Sequence, residues 1–119
     1  MSSIYSDNFP VSISNRIDSY KHSFFPSGWI KIILELNIKL RKINPNYIIS
    51  QIKQKNGELR FYSHNIEDKD YYLIHDSVKK SKETCEVCGS GGIKRVVNHY
   101  QIVLCDIHHK QLNSNKHPF

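Results

Sequence analysis

Alanine is missing from this chain altogether, and cysteine appears only three times. The first absence, set beside abundant isoleucine, asparagine and lysine, reflects an A/T-rich coding bias and carries no chemistry. The second is informative. An odd number of cysteines does not build a disulfide framework, which consumes them in pairs. The longest apolar run, Trp29 to Leu40, is interrupted by Lys31, Glu35 and Lys39, so no segment reads as a bilayer span. No basic stretch followed by an apolar block opens the chain, so a secretory signal is not expected and a cytoplasmic setting is. In a reducing cytosol a Cys-x-x-Cys pair points to metal binding or catalysis, not to a cross-link. A Ser/His/Asp set, a phosphate-cradling glycine loop and a close carboxylate pair are also missing, so the chain is expected not to be an enzyme or to take a small-molecule substrate.

What the sequence does contain is a basic, globular composition. Of its 119 residues, 39% are hydrophobic and 24% charged, with a formal net charge of +6. These fractions fit an ordered domain and exclude a disordered tail. The positive balance favours contact with nucleic acid or with the acidic face of a protein partner.

Cys85-x-x-Cys88 and Cys105-x-x-His108 provide four metal-ligand side chains in two close pairs. Two cysteines three residues apart can face one ion, and Gly89 lets the backbone turn its N–H groups toward the thiolates. Between the pairs lie Gly91-Gly92 and two β-rich runs, Ile93 to Val97 and Tyr100 to Leu104, with a turn expected at Asn98-His99. A short helix is expected from Cys105 to about Leu112. Knuckle, hairpin and a helix whose first turn carries two ligands make a treble-clef arrangement, and the expected cofactor is a structural Zn²⁺. His109 adjoins His108; the two-residue spacing favours His108 as the fourth ligand.

Other uses of these residues fit less well. Redox chemistry at the Cys-x-x-Cys calls for a βαβ setting that the pattern does not offer. A filled Cys₃His set leaves no coordination position for a catalytic water. A nucleobase deaminase would place proline before Cys85, where Thr84 stands, and a His-x-Glu upstream. An HNH-type nuclease could draw on His99 and His109, but the hairpin lacks an acid–His pair. His22, His64, His75 and His117 are scattered without ligand spacing and read as surface or packing residues.

Upstream of the zinc segment the expected organisation is helix, hairpin, helix. Trp29, Ile33, Leu36, Leu40 and Ile43 recur at helical steps from Gly28 to about Ile43, with Ser27 as N-cap and Asn44-Pro45-Asn46 as the stop. Asn56-Gly57 predicts a type I′ turn pairing Lys55 with Glu58, Gln54 with Leu59, Lys53 with Arg60 and Ile52 with Phe61. Alternation then puts Ile48, Ile52, Leu59 and Phe61 on the core face. Gln51, Lys53, Lys55, Glu58, Arg60 and Tyr62 fall on the other. A second helix is expected from Asp68 or Asp70, either of which can cap it, to about Lys82. Tyr71, Ile74 and Val78 form its buried stripe, and Lys79, Lys80 and Lys82 its basic end. Lys53, Lys55, Arg60 and Tyr62 could follow a strand and stack a base, and Lys79 and Lys80 could meet phosphates. The plain alternative for both groups is a solvated surface.

The Gly28-Trp29 helix start, the run QIKQKNGELRFY from Gln51 to Tyr62, Ser81 before Cys-Glu-Val-Cys-Gly, and the final Cys105-x-x-His108 together resemble a family of small bacterial and phage zinc-binding proteins. Asn56 stands where that family carries phenylalanine, and Ile102-Val103-Leu104 precedes Cys105 in place of an Arg-Thr-Leu type. The resemblance implies metal ligands at Cys85, Cys88, Cys105 and His108, brings no activity with it, and suggests a role in host–phage conflict.

The expected architecture is therefore one α+β domain over residues 1–119. An irregular arm spans 1–27, a helix–hairpin–helix core 28–83 and a zinc module 84–113. The expected function is non-catalytic binding of nucleic acid. The alternative is a protein-binding inhibitor, of the anti-defence or toxin-immunity type, that blocks a nucleic-acid-handling partner. A nuclease of the HNH type ranks third.

Overall fold

In the computed structural model, distant contacts settle several element boundaries that local chemistry leaves open. The structure describes residues 5–6, 13 and 23–114. The expected irregular arm, with His22, lies largely outside the described residues, as does His117. Within the arm, β1 (Tyr5–Ser6) pairs antiparallel with β2 (Phe25–Pro26), and Ile13 is fully buried in the main core.

A 3₁₀ turn (Ser27–Trp29) leads into α1 (Ile30–Ile43). Trp29, Ile33, Leu36 and Leu40 are buried as the periodicity predicts, joined by Ile32 and Asn37. Ile43, placed on the same stripe by spacing, is exposed in the last turn. Ser27 does not cap the helix: no side-chain cap is present, and the backbone N–H of Gly28 donates instead to the carbonyl of Glu86 at 2.9 Å. A donor that a helix start leaves over is thus satisfied by a distant loop. On the buried side of α1, the Tyr47 hydroxyl donates to Asn37 Oδ1.

β3 (Ile48–Lys55) and β4 (Glu58–His64) form the predicted hairpin with all four expected pairs in register. Asn56 and Gly57 both have positive φ, 54° and 76°, as a type I′ turn requires. One expectation fails. Ile49 faces Ser63 and Gln51 faces Tyr62, so Ser50 is an extra residue and the ladder bulges there. A bulge shifts the side-chain alternation by one. Ile49, not Ile48, is therefore the core residue: Ile49 is fully buried and Ile48 is 38% exposed.

Each hairpin edge is engaged at one residue. Ser23 Oγ accepts from Ile52 N at 3.1 Å and Phe24 N donates to Ile52 O at 2.8 Å, while Leu59 N donates to Ser81 Oγ at 2.9 Å. Unpaired strand edges invite aggregation, and these contacts occupy part of each.

A second 3₁₀ turn (Asp68–Asp70) precedes α2 (Tyr72–Ser81). Neither aspartate caps it. Asp70 is buried and accepts from Asn44 Nδ2 at 3.3 Å, tying the end of α1 to the start of α2. Ile74 is buried, and Tyr71 and Val78 pack half-buried on the same core.

The last part of the described chain contains β5 (Ile93–Val97), β6 (Tyr100–Leu104) and α3 (Asp106–Ser114). Asn98 and His99 make the expected turn, with φ of 50° and 70°, between paired Val97 and Tyr100. Its core is a separate cluster of Cys85, Val97, Ile102 and Leu104. No described helix is long and apolar enough to cross a membrane.

Candidate metal centre

The Cys85–Gly89 loop turns back on itself: Gly89 N donates to Cys85 O at 2.9 Å and Cys85 N to Ser90 O at 2.7 Å. Gly89 takes φ +83°, a conformation that glycine adopts without strain. Strand β6 ends immediately before Cys105, and the first turn of α3 brings His108 back beside it.

The ligand atoms of Cys85, Cys88, Cys105 and His108 all lie within 4.8 Å of one another. Cys88 Sγ stands 3.9 Å from Cys105 Sγ, and His108 Nδ1 stands 3.2 Å from Cys105 Sγ and 3.8 Å from Cys85 Sγ. A tetrahedral ion with metal–sulfur bonds of about 2.3 Å has sulfur–sulfur edges of about 3.8 Å and slightly shorter sulfur–nitrogen edges. The four side chains fit a metal ion of that size, with Nδ1 as the histidine donor.

His109 is not part of this group. Its Nδ1 accepts from Arg95 Nη1 at 2.8 Å, and its Nε2 lies 3.3 Å from Asn113 Nδ2. Arg95 also donates to Leu104 O at 3.1 Å and pairs with Asp106 at 2.6 Å. It thus clamps α3 to the hairpin and holds His109 turned toward the clamp.

The thiols differ according to their surroundings. Cys85 is buried, which pushes its thiol up. Cys88 is exposed, and the Ser90 hydroxyl at 2.9 Å lowers it. Cys105 is lowered to about 6, first by the backbone N–H of His108. Burial opposes charge on His108, but Cys105 and Cys88 outweigh it and raise its pKa. Anionic sulfur is the form that binds metal, so two of the three thiols are prepared for it.

Glu86, between the first two cysteines, is fully buried. Its carboxylate accepts from Val103 N at 2.6 Å and from Gln54 Nε2 at 3.2 Å. Burial raises it to about 7 despite those donors. Its backbone N–H donates to Val103 O at 2.8 Å, and its carbonyl holds Gly28. One residue therefore ties the knuckle to β6, to the first hairpin and to the start of α1. Trp29 adds a further tie, donating from Nε1 to Thr84 O at 3.0 Å. Neither Glu86 nor Gln54 has the ligand spacing that marks the cysteines and His108 in the sequence. A signal was present, since the turn places Gln54, a polar residue, on the core face beside Ile52.

The six candidate binding residues do not share one surface. Lys53 Nζ sits 6.0 Å from the centre of the Tyr62 ring. Arg60 pairs with Glu58 at 3.1 Å, and Lys82 reaches the same carboxylate at 3.5 Å. Arg60, Tyr62, Lys79 and Lys82 line a groove between β4 and α2. Lys55 is exposed near the hairpin tip. Lys80 points elsewhere, lining a separate cavity with Ser27, Lys31 and Cys88.

No family model, curated protein or solved structure matches this chain.

Proposed function

We propose that the chain is a small zinc-stapled module that binds nucleic acid and does no chemistry of its own. Three thiolates and an imidazole form a soft donor set of the kind that selects zinc. Four protein ligands leave no position for a reactive water, so the ion's role is structural. The order of knuckle, hairpin and ligand-bearing helix supports a treble clef. The observation that carries the binding reading is convergence: Arg60, Tyr62, Lys79 and Lys82 from two elements line one groove, and Lys53 flanks it over the Tyr62 ring. Cations beside an exposed aromatic suit a polyanion with flat bases. Fluorescence anisotropy with labelled DNA and RNA across a salt series tests this. Affinity should fall steeply as salt rises, and no binding even at low ionic strength would remove the proposal.

A second reading, a protein-binding inhibitor of a nucleic-acid-handling partner, is favoured by Ile93, Val96, Tyr100 and Ile107. These are 62%, 67%, 69% and 67% exposed on the elements around the metal centre, where large apolar side chains suit a protein surface. Such a partner would co-purify after nuclease treatment, and replacing Val96 and Tyr100 with serine would release it.

A further inference from the structure

The groove between β4 and α2 has a volume of about 330 Å³, at the small end of ligand-sized sites. Its make-up changes across its width. Leu59, Phe61 and Ile74 give it a buried apolar floor. Lys79 on α2 and Lys82 just past its end line the groove on the helix side, and Tyr62, 46% exposed, lines it on the β4 side. Lys53 lies near one face of that ring. The carboxylate of Glu58 is engaged by Arg60 and Lys82, whereas Lys53 and Lys79 form no ion pair among the described residues.

An exposed tyrosine ring accepts the face of a base, and cations beside it that form no ion pair accept phosphate. A duplex keeps its base faces stacked against one another, so only an unstacked base can occupy such a place. From this we infer that the groove is a single-nucleotide subsite for single-stranded nucleic acid. The base stacks on Tyr62, and the backbone runs past Lys53 and Lys79. This inference rests on the nucleic-acid reading above and narrows it to one strand and one aromatic.

The test uses the full, zinc-loaded chain and anisotropy with labelled oligo-dT and oligo-rU, a duplex of equal length, and poly-glutamate as a polyanion without bases. The single strands should bind more tightly than the duplex and the poly-glutamate. Tyr62→Leu should weaken single-strand binding by about five-fold or more while leaving the salt slope unchanged, and Tyr62→Phe should keep the affinity. Lys79→Gln should instead reduce the salt slope by about one. Unaltered Trp29 emission and melting temperature in each variant would show that the fold is intact. If single strands bind and Tyr62→Leu binds them equally well, or if poly-glutamate competes on equal terms, this inference is overturned while nucleic-acid or polyanion binding stands. If no nucleic acid binds at low salt, the broader reading fails and this one with it.

Discussion

Gly28 lies so close to Cys85 that a Cβ on it would stand 2.1 Å from the Cys85 carbonyl oxygen and 2.7 Å from the Glu86 carbonyl carbon. Both are backbone atoms of the metal-binding loop, which cannot withdraw without moving a ligand. Gly28→Ala should therefore cost about 3 kcal/mol or more, the upper end of overpacking penalties. Trp29→Phe keeps most of the packing but strands the Thr84 carbonyl that Nε1 reaches at 3.0 Å, and should cost about 1 kcal/mol or slightly more. Urea denaturation with zinc in excess measures both, and a neutral Gly28→Ala would contradict the docking of loop on helix.

The Gln54–Glu86 contact makes a separate prediction. The carboxylate is fully buried and receives Val103 N–H and Gln54 Nε2. Gln54→Ala removes one donor from a buried acid and should destabilise by about 1–3 kcal/mol. Glu86→Ala should cost at least as much, since it leaves Val103 N–H unpaired and opens a void. Glu86→Gln retains a carbonyl oxygen for Val103 and should be the mildest of the three. A different ranking in denaturant titrations would mean that the acid is not held as described.

The two neighbouring histidines should behave differently. His108 Nδ1 lies among the thiols, whereas His109 Nδ1 is taken by Arg95 at 2.8 Å. Removing a ligand should cost more than the 10–100-fold typical of outer-sphere changes. His108→Ala is expected to lose about 100-fold or more in zinc affinity, and His109→Ala less than ten-fold. Competition against a chromophoric chelator reads both values. A large effect at His109 would reverse the assignment.

Features set by short-range chemistry were legible in the sequence. Asn56-Gly57 determines its own turn and with it four cross-strand pairs, and the Cys/His spacing brings four ligands together. The features that were not legible depend on distant partners. Ser50 bulges inside a strand whose pattern Ile48-Ile49 permits either isoleucine to face inward, so alternation alone selected the wrong one. Ser27 looked like an N-cap because nothing local reveals that Glu86 will satisfy the helix start. Asp70 looked like another, because its partner Asn44 lies 26 positions away.

That correction can be tested directly. Ile49 is fully buried and Ile48 is 38% exposed. Ile49→Ala should destabilise by about 2–4 kcal/mol, as deletion from a packed core does, and Ile48→Ala by less than about 1 kcal/mol. Equal costs would place the bulge elsewhere.

Metal removal should act on one part of the chain before the other. The cluster beside the metal centre contains Cys85, Val97, Ile102 and Leu104, with Val87, Cys105 and Leu112 at its edge. Two of these are themselves ligands. So few apolar groups offset little of the entropy of ordering residues 84–113, so a bound metal ion should supply part of the folding energy of this end. The other core, which includes Trp29, Leu36, Tyr47 and Phe61, contains no ligand. A chelator should collapse the amide dispersion of residues 84–113 while signals from β3, β4 and α1 persist. Trp29, the single tryptophan, would register the change from the other core, because its indole N–H loses the Thr84 carbonyl when the knuckle loosens. Its emission should shift with the same midpoint as metal loss and return when Zn²⁺ is restored. If the metal leaves and neither spectrum changes, then the ion does not hold this end of the molecule together.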